Sequence, residues 1–179
     1  ALVSAFIDEQ VPGLEALPAL TKETLSGTAD EKLLELVQLD LSRRAGRDWR
    51  RLTEAQRQLF IIGALEEGVT GPGGFLVLVL AEQTGGVTAR PQLRELALAY
   101  RWLALPEAAD ATDAALVVGG SHPALLEAWA AYDLSDPNRG PPPRNPFIEA
   151  DNRFRAAVAP SPGLRIAWIR AHVAEVLSP

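Results

Sequence analysis

The sequence predicts an all-α protein, a compact multi-helix array around one buried central helix. Apolar residues make up 47% of the chain and aromatic residues only 6%, and alanine and leucine, which favour helices, dominate the composition. Helix-start and helix-stop signals recur along the whole chain. Only one short segment fits a buried strand, and no second strong strand is present with which it could pair.

The first elements are predicted in residues 1–50. Ala1–Gln10 fits a short helix that ends at the proline and glycine that follow it. Thr28 and Glu31 then form a capping-box pattern, in which a hydroxyl and a carboxylate satisfy free backbone N–H groups at a helix start. The helix that this pattern opens is predicted to end at Gly46, because glycine commonly follows the last residue of a helix.

The central helix is predicted to follow a second capping box, Thr53 with Gln56. Its apolar residues recur at helical spacing and cover more than one face, so we expect this helix at the middle of the protein. A turn is predicted at Gly71–Gly74, where three glycines and a proline meet. By periodicity alone, the apolar run Phe75–Leu80 fits a buried strand or a buried helix, and helix is favoured because no partner strand exists.

Later helices are predicted from the same signals of caps, glycines and prolines. Seven to nine helices are expected in all, and prolines stiffen the one long loop, residues 133–146. The later helices span about residues 91–105, 107–118, 123–132, 147–158 and 162–177, with Thr88, Pro91 and Ser161 marking helix starts.

Composition restricts the classes of function. A net charge of −6 argues against direct binding of nucleic acid, which requires a basic surface. The absence of cysteine removes disulfides, thiolate zinc sites and cysteine nucleophiles, and it fits a cytoplasmic protein. The longest apolar run is too short to span a bilayer. Residues 1–50, predicted as an N-terminal helical extension packed on the core, and residues 51–179, the main helical domain, each hold three more acidic than basic residues.

Spaced residues between Leu52 and Val176 agree in order with a family motif. They are Leu52-Thr53, Arg57, Leu65-Glu66-Glu67, Val69, Gly73-Gly74-Phe75, Asp151, Arg153, Phe154 and Ile169-Arg170-Ala171-His172. In these residues the chain resembles the bacterial DNA-mimic protein family, a helical domain of otherwise unknown function. The resemblance implies an all-helical fold and a protein that engages a basic DNA-binding partner in place of DNA. The chain departs from the family at Thr70-Gly71-Pro72, where the family has paired asparagines, so any function of those asparagines is in question.

Two neighbouring carboxylates and two later residues are the candidates for chemistry. Glu66 and Glu67 lie at the C-terminal end of the central helix, where the helix dipole disfavours them. With Asp151 and His172 they would make a small metal-dependent hydrolase, which is the alternative function. The simpler interpretation is that one glutamate faces solvent and the other binds an arginine such as Arg57 or Arg170. His172 is then half-buried and bonded to backbone or carboxylate. Without a nucleophile or ligand motif, the chain is predicted to be no enzyme, with no catalytic residue, metal or cofactor.

Partner binding is predicted at two rows of acidic residues. Acids three or four residues apart lie on neighbouring helical turns, and a basic DNA-binding protein would meet them as it meets phosphates. A solvated helix face is the simpler interpretation, because seventeen basic residues dilute the field. An immunity-type inhibitor and a homodimer are alternatives that the sequence leaves open. The rows are Asp30, Glu31 and Glu35, and Glu107, Asp110 and Asp113, with Asp8, Glu9, Glu15 and Asp40 as further candidates.

Overall fold

All regular structure in the described part of the chain is helical, which confirms the predicted all-α class. The computed structural model describes residues 20–46, 48–84, 92–132, 136 and 138–179. No helix within these ranges has the length and hydropathy of a transmembrane segment. The helices are α1 (Lys22–Gly27), α2 (Asp30–Ala45), the 3₁₀-helix η1 (Trp49–Arg51), α3 (Glu54–Thr70), α4 (Gly74–Thr84), α5 (Leu93–Trp102), α6 (Pro106–Ser121), α7 (Pro123–Ala130), α8 (Ile148–Val158), α9 (Ser161–Ala171) and α10 (Val173–Leu177).

The helices belong to two compact units. The first unit comprises the described residues up to Ala64 together with Pro160–Pro179, and the second unit is Leu65–Ala159. The division falls inside α3, so this one helix supplies residues to both units. The boundary predicted after residue 50 stays a prediction.

In the first unit, α2 packs against η1 and α9, and α1 packs against α9 and α10. The inward side of α2 carries Leu33 and Val37, four residues apart and both buried. Arg170 of α9 donates hydrogen bonds to the carbonyl oxygens of Leu25 and Thr28. These carbonyls lie at the C-terminal end of α1, where the helix itself offers no donors, so Arg170 ties α1 to α9.

Two polar side chains in the first unit hold the last residues of the chain. Gln56 is 2% exposed and donates its side-chain amide to the carbonyl oxygens of Val176 and Ser178, at 3.1 and 2.8 Å. Arg44 also donates to the Ser178 carbonyl, at 2.8 Å, while its Nε lies 2.7 Å from a carboxylate oxygen of Asp40. Because carbonyls at a helix end need external donors, these contacts attach α10 to α2 and to the first turn of α3.

In the second unit, α6 packs against α5 and α8, and α4 packs against α6, α7 and α8. The packed side of α6 consists of small side chains, which let neighbouring helices approach closely. The large side chains of this core come from the helices around it, including Phe75 of α4 and Phe154 of α8, both fully buried. The buried alanines of α6 are Ala108, Ala109, Ala111 and Ala115.

Three predicted helix boundaries are wrong. The hydroxyl of Thr28 donates to the carbonyl of Thr24 at 2.6 Å, so Thr28 ends α1 instead of capping α2 with its side chain. Ser161 is the first residue of α9, and the N-cap position belongs to Pro160. The single helix predicted at the end of the chain is two helices, α9 and α10, because His172 between them leaves helical geometry at φ −123° and ψ 40°.

Two other boundaries were predicted correctly. The Thr53–Gln56 capping box is present, since the backbone N–H of each residue donates to the side chain of the other, at 3.1 and 3.4 Å. Gly46 follows the last residue of α2. The ambiguous run Phe75–Leu80 is helical and lies within α4.

The count and length of helices differ from prediction. The described residues form ten α-helices, where seven to nine were expected for the whole chain. The helix predicted to end near residue 118 continues through Gly119 and Gly120 to Ser121. The helix predicted for Ala1–Gln10 and the start signals at Thr88 and Pro91 lie outside the described residues.

Candidate functional site

The glycine-rich turn between α3 and α4 is closed by a carboxylate from α8. Asp151 is 4% exposed, and its Oδ1 accepts a hydrogen bond from the backbone N–H of Phe75 at 2.8 Å. This contact gives α4 an N-terminal cap from outside its own segment, in which a negative charge meets free N–H groups. A Cβ on Gly74 would lie 2.3 Å from the same oxygen, and Gly74 has φ +55°, so space and backbone conformation both require glycine.

Arg155, one helical turn after Asp151, holds the other side of this turn. Its guanidinium donates to the carbonyl oxygens of Thr70 and Gly71, at 3.3 and 3.2 Å. Burial raises the pKa of the Asp151 carboxyl above its ordinary value, while the hydrogen bond from Phe75 and the charge of Arg155 oppose the shift. These partners therefore offset only part of the cost of burying the carboxylate. Its hydrogen bond to the Phe75 N–H caps α4.

An aromatic cluster connects this capped turn to α3 and α5. The ring of Phe154 meets those of Phe75 and Tyr100 edge to face, with centroids 5.1 and 5.6 Å apart. All three rings are fully buried. The Tyr100 hydroxyl donates to a carboxylate oxygen of Glu66 at 2.7 Å. Residues that carry the family resemblance, Glu66, Phe75, Asp151 and Phe154 among them, are thus joined through Tyr100 and serve the packing of the second unit.

The structure gives each residue of the hydrolase alternative a position. Glu66 accepts a hydrogen bond from the Tyr100 hydroxyl. Asp151 caps α4, and Glu67 is exposed at the end of α3. His172 is half-buried between α9 and α10, and its Nδ1 lies 2.9 Å from the carbonyl oxygen of Trp168. A carbonyl only accepts, so this nitrogen carries the proton. In the described ranges, no three histidine or acidic residues are placed to hold a metal ion together.

Two of the simpler expectations meet different outcomes. The expected half-buried, backbone-bonded His172 is confirmed, and its ring also stacks on Trp168 with centroids 4.4 Å apart. His122 occupies the N-cap position of α7, and its Nδ1 lies 3.0 Å from the Val118 carbonyl oxygen of α6. Arg170, one of the two arginines suggested as a partner for a glutamate, instead pairs with Asp30 and with α1 carbonyls.

The first acidic row lies on the first two turns of α2. Asp30, Glu31 and Glu35 are all exposed. Asp30 lies 2.9 Å from the guanidinium of Arg170, which neutralises one charge of the row. Asp40 does not extend the row: it is 6% exposed and forms ion pairs with the two arginines that follow it on α2. Asp8, Glu9 and Glu15 lie outside the described residues.

The second acidic row lies along α6. Glu107 and Asp110 are exposed, and the side chain of Asp113 is 44% exposed. Arg101 of α5 pairs with Asp113 and lies 3.7 Å from Asp110. The three carboxylates and this arginine together leave two net negative charges, and Glu107 has no ion pair in the described part of the chain.

Two further carboxylates act as caps at the start of α5, and only one of them follows a local sequence pattern. Glu82, near the end of α4, accepts from the backbone N–H of Leu93 at 2.7 Å, and Glu95 accepts from that of Gln92 at 2.8 Å. Both contacts satisfy N–H groups at the start of α5. Burial raises the pKa of Glu82, and the charge of Glu95 adds to the shift. The Gln92–Glu95 capping box was visible as a spacing, whereas no local pattern predicts the contribution of Glu82.

The two units differ in charge. Leu65–Ala159 holds twelve acidic and seven basic residues, whereas the remainder of the chain holds eleven and ten. The net charge therefore comes mostly from the second unit, a division that the even split at residue 50 conceals. Comparison of the chain with protein-family models, with curated proteins and with solved structures gave no match.

Proposed function

We propose that the chain is a non-enzymatic protein-binding module that engages a basic DNA-binding protein through the acidic row Glu107, Asp110 and Asp113. The charge of the second unit is the observation that supports this function. An excess of five acids in 95 residues surrounds the row with a negative field, which attracts a basic partner. The row on α2 belongs to a unit in which acids and bases nearly balance, so α6 offers the stronger field.

The spacing of the row is compatible with DNA mimicry over a short length. Residues three apart on a helix advance by about 4.5 Å along its axis. One strand of duplex DNA carries a phosphate about every 3.4 Å of axis. The row thus presents charge somewhat less densely than one DNA strand, and Arg101 reduces it further. A partner that brings its own arginines would compete with Arg101 for Asp110 and Asp113.

The contacts of the candidate catalytic residues support a non-enzymatic function. Glu66 and Asp151 are each engaged in holding the second unit together, and His172 bonds to its own helix. A general base needs a free lone pair directed at a substrate, and a metal site needs several converging ligands. Where the structure describes the chain, no three acidic or histidine residues converge as metal ligands.

The test is a capture experiment in which the second acidic row is neutralised. Wild type and the variant E107Q/D110N/D113N are immobilised and exposed to bacterial lysate, at about 0.1 M and about 0.5 M salt, where the Debye length falls from about 10 Å to about 4 Å. We expect wild type to retain a basic DNA-binding protein at low salt only. The variant should retain about tenfold less, since complementary charges set the rate of encounter.

The matched control neutralises three exposed acids elsewhere in the second unit, E67Q/E127Q/E149Q, which changes net charge equally. It should retain the partner within about twofold of wild type, because only the row positions charges at regular spacing. Duplex DNA added to the captured complex should release the partner. Capture that survives high salt, that DNA does not displace, or that both triple variants weaken equally would refute mimicry by this row.

A further inference from the structure

The long connection between α7 and α8 contains a proline-rich segment, residues 139–146, with the sequence RGPPPRNP. Residues 139–145 form neither helix nor strand. Proline fixes φ near −65° and restricts the residue before it, so three prolines in a row favour the polyproline II conformation. This conformation has no internal hydrogen bonds and directs its carbonyl groups outward, where other side chains reach them.

Trp129 of α7 and Tyr132, two residues after this helix, bind this segment. The Tyr132 hydroxyl donates to the Gly140 carbonyl at 2.8 Å, and the Trp129 indole N–H donates to the Arg144 carbonyl at 3.2 Å. The two rings lie edge to face with centroids 5.7 Å apart. The guanidinium of Arg139 lies 5.9 Å from the Tyr132 ring, within the range of a cation–π contact.

These contacts have the chemistry of polyproline recognition. Domains that bind proline-rich peptides present aromatic rings in a groove that receives the preformed, extended ligand. Tyrosine and tryptophan suit this task because each pairs an apolar ring with one hydrogen-bond donor. Here the two acceptor carbonyls are four residues apart, about 12 Å in a polyproline II helix, and each is met by one aromatic donor. The segment therefore occupies the aromatic pair as a ligand would.

The contact is superficial. Pro141, Pro142 and Arg144 are exposed, and Trp129 and Tyr132 are only half-buried. In the described part of the chain, no hydrogen bond is made by the three prolines. Asn145 anchors the end of the segment through a side-chain hydrogen bond to the buried Asp151. Residues 140–144 are held by two surface hydrogen bonds and ring contacts, so they open more readily than a packed core because little apolar surface is exposed when they leave.

We propose that Trp129 and Tyr132 form a binding site for proline-rich peptides in the polyproline II conformation. Residues 140–144 of the same chain occupy this site in the structure. A tethered segment acts at an effective concentration of about a millimolar, so a free peptide of equal intrinsic affinity competes poorly with it. Release of the loop opens the site to a proline-rich segment of a partner. This site is separate from the acidic row and does not depend on the function proposed for it.

The experiment opens the site by replacing the three prolines of the protein's own loop. The probe is a fluorescein-labelled peptide, RGPPPRNP, titrated by anisotropy with wild type and with the variant P141A/P142A/P143A. Without its three prolines, the loop of the variant no longer favours the polyproline II conformation and competes less for the site. We therefore expect the variant to bind the peptide at least about tenfold more tightly. The peptide RGAAARNP is the matched probe and should bind neither protein. Adding W129F and Y132F to the proline variant removes both hydrogen-bond donors and keeps an aromatic ring at both positions. Binding of the peptide should weaken severalfold.

Circular dichroism first establishes that each variant keeps its helical content. The proposal is overturned if the proline variant binds RGPPPRNP no better than wild type, or if it binds RGAAARNP equally well. A second measurement is made on the unaltered loop. Excess RGPPPRNP at millimolar concentration should shift the backbone N–H resonance of Gly140 in wild type, because the displaced loop loses its contact with Tyr132. This resonance is assigned by its loss from the glycine region of the spectrum in G140A, and an unmoved resonance would also overturn the proposal.

Discussion

Replacing Gly74 by alanine should destabilise the protein strongly. The added Cβ would lie 2.3 Å from Oδ1 of Asp151 and 2.4 Å from Cγ and Oδ2, too close for any real contact. Asp151 is buried, so its carboxylate cannot swing into solvent. It must shift and lose its hydrogen bond to the N–H of Phe75.

The expected cost has two parts. A left-handed backbone costs a residue with a Cβ about 1–2 kcal/mol, and Gly74 has φ +55°. A lost hydrogen bond to a charged group costs about 1.5–3 kcal/mol. The free energy of unfolding of G74A should therefore fall by about 2.5–5 kcal/mol, measured by urea denaturation with helical circular dichroism.

The control for this change is G120A. Gly120 lies inside α6, and a Cβ there meets nothing within 4 Å. Alanine in such a helix position should be neutral or stabilise by up to about 1 kcal/mol. A double-mutant cycle isolates the contact: with D151A already present, G74A should cost only its backbone strain. Additive costs of G74A and D151A, or a G74A variant as stable as G120A, would refute the assignment of Asp151 as the cap of α4.

Three other predictions concern single side chains. Because its pKa is raised, the ionised form of Asp151 is disfavoured in the folded state. Wild type should therefore gain stability relative to D151N as pH falls from neutral through that pKa. Unequal shifts of Tm for the two proteins would show this gain. Y100F should lower the free energy of unfolding by about 1–2 kcal/mol, because it removes the hydrogen bond to Glu66, and E66Q should cost less since it keeps an acceptor. R170A should cost about 1–3 kcal/mol in denaturant titrations because two α1 carbonyls lose their donor, whereas D30N, at an exposed pair, should stay within about 0.5 kcal/mol of wild type.

The local parts of this fold are readable from sequence. The Thr53–Gln56 box and the Gly46 terminus depend on residues within four positions of each other, and the structure contains both. Thr28 shows the limit of such patterns. Its hydroxyl had two backbone groups within reach, one in each neighbouring helix, and it bonds the carbonyl of Thr24 behind it. Sequence spacing alone does not decide between two such partners.

Contacts between residues far apart in the chain could not be predicted from the sequence. Asp151 caps a helix that begins at Gly74, and Arg170 meets Asp30 from the far end of the chain. Asp40 looked like a member of an exposed row, yet it is buried in ion pairs with neighbouring arginines. A count of acids along a helix therefore predicts position on the helix but leaves exposure and neutralisation to the tertiary structure.

Four of the residues on which the predicted family resemblance depends serve the packing of the second unit. Glu66, Phe75, Asp151 and Phe154 hold the core of the second unit through a tertiary cap, ring contacts and the hydroxyl of Tyr100. A motif whose members are used in this way specifies how a chain folds, and many functions can be built on one fold. The acidic row of α6 and the aromatic site of α7 lie outside that motif. Selectivity for a partner should therefore change with substitutions in these two surfaces, while substitutions in the motif should change stability first.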